Sequence, residues 1–407
     1  MLNSLLKNRS FISVWLGNGV PELGGAFGTF CMSILVYRLT GSPFALGSMW
    51  ILYYATSLIL QLIIGPYIDR WSRKWIMVLT QWTRGIIFLL PLLALAMGQL
   101  EVWQLYGVQI LIGIITPLYV PANQAITPTI VNKEQLATAN GYLESTVRVM
   151  TVVAPIGAGV VVQYLSVELT LAMVSTLLLL SGFLILQVQE KRGPRDIRKP
   201  WIQEFVEGTS FFFTQKMIVW LGIFVGFVQL GVGVTIVIRI PYIIDVLSGT
   251  EFHYGLFLAG FPIGYVIGTL LIGYIKINSR RLLMLGALFI GGMTFIALGL
   301  NHSIYLAIFT ESIGGVMMAI FSIHNITLVQ QVVPNRLMGK VVSVRMLIVR
   351  GAMLLGLMMG SVFSELYGIR PMYFMIGGII CLTSLLGILL PYFKFIDEKP
   401  HDEKLAS

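Results

Sequence analysis

The sequence predicts an all-α integral membrane protein with twelve transmembrane helices in two six-helix pseudo-repeats. Three observations carry this prediction. First, 57% of the 407 residues are hydrophobic and only 11% are charged, against roughly 25% charged in an ordinary soluble domain. A soluble core of that size would need a polar coat, whereas lipid solvates an apolar exterior directly. Second, the apolar residues fall into twelve runs of about 20 residues or more, the length that crosses a bilayer as a helix. Third, the basic residues gather on one side of those runs.

The first run, 12–37, follows MLNSLLKNRS. It exceeds the roughly 7 to 15 residues of a secretory h-region and lacks a small-residue cleavage site, so it reads as a retained first span. Spans two to six are expected at 43–66, 75–97, 102–126, 139–165 and 167–189, and spans seven to twelve at 217–247, 253–275, 282–300, 303–328, 342–366 and 371–393. Span seven is too long for one straight crossing, and Pro241 marks where its helix ends or kinks. The long polar segment 190–216 divides the chain into an N-terminal bundle (1–189), a central loop (190–216), a C-terminal bundle (217–394) and a tail (395–407). Within the loop, Trp201, Ile202, Phe205 and Val206 recur at helical spacing. They fit a short helix lying at the membrane surface or packed under the bundle.

With both termini placed on one side, that side holds 20 of the 27 Lys and Arg residues; Arg38 and Arg370 lie opposite and five fall within spans. The positive-inside rule makes the termini cytoplasmic. The net charge of +9 is thus an orientation signal, and nucleic-acid binding loses its support. Cys31 and Cys381 stand far apart without partner spacing, which argues against a disulfide framework or a metal site. The chain contains no HExxH, P-loop or GxSxG motif, so neither an enzyme nor a bound cofactor is expected.

The halves repeat weakly. At an offset of 208, GPYIDRWSR from Gly65 faces GYIKINSRR from Gly273, with Asp69 opposite Ile277; at an offset of 202, Arg148 faces Arg350. A half built twice is a feature of parallel-repeat transporters.

GPYIDRWSRK, a Gly followed by Asp-Arg and then a basic pair between spans two and three, resembles the loop motif of the major facilitator superfamily. Within it the chain is most similar to the bacterial drug and macrolide efflux branch, the transmembrane secretion effectors. The matching text is LKNRSFISVWLGN, LTGSPFALG, VPANQAITPTIVNKEQLATANGYLEST and EGTSFFF. VVAPIGAGVV in span five resembles the Gly-Pro-rich motif of drug–proton exchangers, with Ala154 in place of its leading glycine. The resemblance implies a monomeric secondary transporter in a bacterial cell membrane, energised by the proton motive force, that takes a small amphipathic substrate.

The resemblance also assigns places. Gly65, Asp69, Arg70 and Arg73 would form a cytoplasmic gate, with Asp69 accepting hydrogen bonds from the N-terminal end of span eleven near 341–345. Spans two, five, eight and eleven would meet between the halves. Pro155, Gly157, Gly159, Gly260, Gly264, Gly268, Gly356 and Gly360 are therefore expected along a sliding seam, where small residues allow close approach, or else in ordinary membrane packing.

A charge inside a span costs about 2.5 to 3.5 kcal/mol on insertion scales and asks for a reason. Glu22, about ten residues into span one, is the first candidate for proton or substrate coupling, and Glu311 in span ten the second; either is alternatively a structural carboxylate. Relatives carry an acid directly after a Leu-Gly pair where this chain reads Leu23-Gly24-Gly25, so Glu22 stands as a displaced acid. Relatives also place an arginine in span four, where this chain has Ile112, and Arg84 in span three is the candidate to take its role. Arg148 and Arg350 are expected as a buried basic pair, Arg148 balanced by Glu144 or snorkelling. Trp15, Phe27, Phe30, Tyr53, Tyr54, Phe227 and Tyr265 are cavity walls or core.

The function this implies is proton-coupled efflux of amphipathic drugs or small metabolites by alternating access. The alternatives are import of a nutrient or export of an endogenous siderophore-like product on the same fold, and a membrane sensor or scaffold that does not transport.

Overall fold

A computed structural model describes residues 5, 7–68, 71–190, 201–275 and 279–397, the side chains of 62–68, 133, 201–205, 208, 335 and 336 excepted. Its helices are α1 (Arg9–Thr40), α2 (Pro43–Ile68), α3 (Arg73–Ala96), α4 (Val102–Ile130), α5 (Leu136–Tyr164), α6 (Val167–Leu186), α7 (Trp201–Thr214), α8 (Lys216–Pro241), α9 (Glu251–Leu271), α10 (Arg280–Leu300), α11 (Ile304–Val332), α12 (Asn335–Tyr367) and α13 (Ile369–Leu389). Among the described residues, twelve of these are long and apolar enough to cross a membrane. They are α1–α6, spans one to six, and α8–α13, spans seven to twelve. The protein is an all-α, multi-pass membrane protein.

The short helix expected in the central loop is α7. After Pro241, α8 runs on as a single π-helical turn, Tyr242–Val246, so the proline marks a change of helical pitch rather than an end.

The helix ends follow from their capping residues. Asn8 accepts from the Phe11 amide at 3.2 Å and donates from Nδ2 to the Ile130 carbonyl at 2.8 Å, so one side chain closes the start of α1 and the end of α4. Ser72, Ser166 and Ser279 cap α3, α6 and α10 in the same way. At the far end of α1, Gly41 adopts φ 62° and returns its amide to the Tyr37 carbonyl at 2.8 Å, a left-handed turn that a side chain would resist.

The chain forms two compact units. The first comprises Met1–Ile197 with Ile243–Ala259, and the second Arg198–Tyr242 with Gly260–Ser407. Residues 243–259 therefore group with the N-terminal bundle, whereas the sequence assigns them to the C-terminal one. Specific contacts account for this. Arg38 Nε donates to Glu251 at 3.2 Å, Tyr37 hydrogen-bonds Asp245, and Phe30 lies 5.0 Å from Tyr254 between ring centroids. The unit boundary falls inside α9.

The packing scheme occurs twice. In the first unit α3 packs on α6 and α1 on α5; in the second α10 packs on α13 and α8 on α12. The first unit's core joins Met77 and Val78 of α3, Tyr119 and Ile126 of α4 and Ile185 of α6. In the second unit the buried rings of Tyr242 and Tyr373 sit 4.7 Å apart.

The glycines show where helix backbones touch. A Cβ on Gly264 would lie 1.8 Å from the Ser312 carbonyl oxygen, one on Gly260 2.9 Å from that of Ile308, and one on Gly268 2.6 Å from that of Val316. A Cβ on Gly356 would meet the Leu230 carbonyl at 2.1 Å, and one on Gly360 would meet Val234 Cα at 3.0 Å. These five glycines seat α9 on α11 and α12 on α8 within the second unit, which corrects the expectation that they mark a seam between halves. The reason is steric: backbone contacts this close leave no room on that face for a further helix. A Cβ on Gly157 would likewise lie 3.1 Å from the Phe27 ring of α1. Pro155 and Gly159 differ, because Pro155 O and the Gly159 Cα stand 2.4 and 3.3 Å from a Cβ built on Gly255 of α9, inside the first unit.

The buried basic pair is also corrected. Arg148 is exposed and Arg350 only half-buried. Both sit on the helices with the broadest open faces, α5 and α12, whose apolar windows are only 22% buried against 67% for the helix that begins at Lys216.

Candidate functional site

The site begins with a proline. Pro21 has no amide hydrogen, so within α1 the Gly17 carbonyl one turn earlier loses its helical partner. Ser181 of α6 fills that place with a hydroxyl hydrogen bond of 2.7 Å. Beside it, the Tyr119 hydroxyl of α4 donates to Asn18 Oδ1 at 2.5 Å, and Asn18 Nδ2 donates to Asn123 Oδ1 at 2.8 Å. This polar belt ties α1, α4 and α6 together one turn from Glu22. Trp15 adds a tie to α5 through Thr146 at 2.7 Å.

One turn further on, Gly25 and Gly28 make room for α3. A Cβ at Gly25 would lie 3.3 Å from Arg84 Nη2, and one at Gly28 2.6 Å from the Phe88 ring. The glycines thus let a guanidinium and an aromatic ring of α3 lie across α1. Arg84 Nη1 donates to Gln81 Oε1 at 3.2 Å, while its Nε is enclosed with no hydrogen-bond partner. Glu22 is exposed, and the charges acting on it are Arg84 and Glu144. Glu22 and Arg84 influence each other through space rather than as a direct ion pair.

Around Arg84 the first unit lines a partly open cavity of about 130 Å³. Gly25, Gly28, Thr29 and Met32 of α1 form one wall, Trp50, Tyr53 and Tyr54 of α2 a second, Arg84 and Phe88 of α3 a third, and Gln109, Ile112 and Thr116 of α4 the last. Trp50 contacts Tyr53 edge to face with centroids 5.7 Å apart, and Tyr53 meets Tyr54 the same way at 5.0 Å. Thr116 Oγ1 is buried without a partner.

Arg84 and Ile112 line the same cavity. Tyr53 and Tyr54 are walls. Trp15, Phe27 and Phe30 pack among neighbouring helices: Trp15 meets Tyr142 at 5.5 Å, and Phe27 and Phe30 are buried. Sequence reasoning did not single out Trp50, Phe88, Gln109 or Thr116. They carry no in-span charge, and the periodicity of fully apolar helices does not tell cavity from core.

In the second unit Glu311 is 6% exposed, and Arg239 of α8, an in-span base not singled out from the sequence, is the charge that acts on it. Arg239 Nε is enclosed without a hydrogen-bond partner. Each unit therefore sets one in-span acid near one in-span arginine. His324 places Nδ1 2.7 Å from the Ile320 carbonyl of its own helix, and Arg345 donates to Asn325 Oδ1 at 2.6 Å. Both are satisfied locally.

Of the loop motif, Gly65 lies within α2 and Asp69 and Arg70 lie outside the described residues. Arg73 is the first residue of α3, and its amide donates to Glu190 Oε1 at 3.2 Å.

The family description Major Facilitator Superfamily matches residues 14–244 and again 227–407. The chain belongs to this superfamily. It is similar to macrolide efflux protein A of Streptococcus pyogenes, 25% identical over 399 residues covering 96% of this chain and 98% of that one. It is also similar to the enterobactin exporter EntS of Escherichia coli O81 (strain ED1a), 22% identical over 340 residues, 83% of this chain and 81% of that one. The fold is shared with the crystal structure of the nucleoside transporter NupG, which superposes with a TM-score of 0.72 at 12% identity over 93% of this chain and 98% of that one.

Proposed function

We propose that this superfamily member is a secondary active exporter of amphipathic compounds, energised by the proton motive force. The observation that carries the reading is the cavity in the first unit, where an in-span arginine, Arg84, shares an aromatic-walled space with polar side chains and lies near the in-span acid Glu22. Buried charge of this kind is costly in lipid and is retained where a pathway uses it. The names of the relatives, a macrolide efflux protein and an enterobactin exporter, support the outward direction. Glu22 and Glu311 are the candidate proton carriers. The bias of basic residues supports a cell membrane, bacterial by likeness, with both termini in the cytoplasm, and the unit that works is the monomer.

The test is uptake of a macrolide and of an aromatic acid into everted vesicles, with and without a protonophore. The reading expects energy-dependent uptake of at least one compound, abolished by the protonophore. Uptake that persists when the gradient is collapsed contradicts it.

A second reading, export of an endogenous acidic metabolite, is favoured by one observation: the charge lining the cavity is a cation, Arg84.

A further inference from the structure

We propose that the cavity of the first unit is a head-group site for a single aromatic ring bearing a carboxylate. This names the substrate class of the exporter reading and rests on that reading.

Size limits the occupant. The cavity measures about 130 Å³, and an apolar cavity of roughly 150 Å³ holds a benzene molecule. One ring fits, and the remainder of a larger amphipath has to lie outside. The walls select a flat group: Trp50, Tyr53 and Tyr54 are packed edge-to-face or tilted against one another and offer aromatic surface, with Phe88 on another side.

Polar chemistry selects the substituent. Arg84 Nε–H and the Thr116 hydroxyl are both enclosed and without partners, a cost that an acceptor oxygen on a ligand would remove. Gln109, on the same lining, is only 3% exposed, so its amide is built into the wall. The charge on the lining comes from Arg84, and a planar guanidinium matches a carboxylate in charge and shape. An ammonium group would meet the like charge of Arg84. Glu22, the nearby acid, is not part of the lining.

The experiment is a ¹⁹F NMR titration of the purified full-length protein in detergent with 4-fluorobenzoate and 4-fluorobenzylamine, corrected for partition into protein-free micelles. The benzoate is expected to bind at least about tenfold more tightly than the amine, the effect of one charge-assisted hydrogen bond. Arg84→Gln should remove that preference, and Thr116→Val should weaken the benzoate severalfold. Equal binding of the two probes, or tighter binding of the amine, overturns the proposal without any variant, so a misfolded Arg84→Gln does not shelter it. Unchanged benzoate binding in a folded Arg84→Gln overturns it as well. Absence of the charge preference in the wild type while vesicle transport persists removes only the head-group assignment; intact benzoate binding without vesicle transport removes only the exporter reading.

Discussion

Glu190 accepts the hydroxyl of Ser72 at 2.6 Å across a separation of 118 residues. The second unit repeats the relationship, with Asp397 accepting from Ser279 at 2.9 Å across the same separation of 118 residues. In each unit a carboxylate beyond the last span closes the N-terminus of an earlier helix, α3 in the first and α10 in the second, where free amides and the helix dipole favour negative charge. Glu190 takes the Arg73 and Lys74 amides at 3.2 and 3.4 Å, and Asp397 takes the Arg281 amide at 2.9 Å. Glu190→Ala and Asp397→Ala are each expected to destabilise their own bundle by about 1 kcal/mol, as loss of a helix cap does. Thermal unfolding of the detergent-solubilised protein measures this; an unchanged midpoint in both variants would show that the caps hold nothing.

These caps also adjust the internal repeat. Ser72 and Ser279 set an offset of 207, one less than the 208 that matches Gly65 with Gly273, so Asp69 stands opposite Lys276 rather than Ile277. The first half's acid is replaced by a base at that position.

Close packing of α9 on α11 gives a second prediction. Gly264→Ala places a methyl 1.8 Å from the Ser312 carbonyl, and overpacking of this kind costs about 1 to 3 kcal/mol. Gly286→Ala on α10 meets nothing within 4 Å and is expected to leave stability unchanged or slightly raised, since alanine favours helix over glycine. Comparing the folded fraction of the two variants by size-exclusion chromatography checks the contrast. Equal yields would mean that the two helices separate freely.

The tie between Arg38 and Glu251 joins the end of α1 to the start of α9. The alternating-access exporter proposed above requires this end of the first unit to open, which would part α1 from the start of α9. A double Arg38→Cys, Glu251→Cys variant is expected to transport when reduced, to stop when bridged by a short bifunctional thiol reagent, and to recover when a cleavable bridge is cut. Full transport with the bridge in place would show that this end never opens.

Much of the fold was legible because lipid imposes length. Twelve apolar runs could be counted, and the Pro241 discontinuity and the loop helix could be placed, since a missing amide and a 3.6-residue period leave local marks. The in-span acids and Arg84 were legible for the same reason, because charge stands out against apolar text. Two things were not. The glycines of α9 and α12 look alike whether they face another bundle or their own, and only contacts with Ser312 and Leu230 decide it. Glu190 and Asp397 act across 118 residues, beyond the reach of any local pattern.

The head-group assignment has a consequence for coupling. A carboxylate on Arg84 and a proton on Glu22 favour each other, because neutralising Glu22 removes a negative charge close to the ligand. Glu22→Gln is therefore expected to tighten 4-fluorobenzoate binding severalfold, and weaker binding in that variant would reverse the sign. In the proton-coupled exporter proposed above, exchange of proton for substrate needs the two to oppose, which makes Glu311, enclosed near Arg239, the proposed carrier of the exchanged proton.

The most direct measurement is therefore made on Glu311→Gln in proteoliposomes, with the compound that the wild type moves best in vesicles. Two modes are compared, solute accumulation driven by an imposed pH gradient and solute-for-solute counterflow without one. Glu311→Gln is predicted to keep counterflow near the wild-type rate and to lose gradient-driven accumulation. Accumulation at the wild-type level in Glu311→Gln would contradict the account.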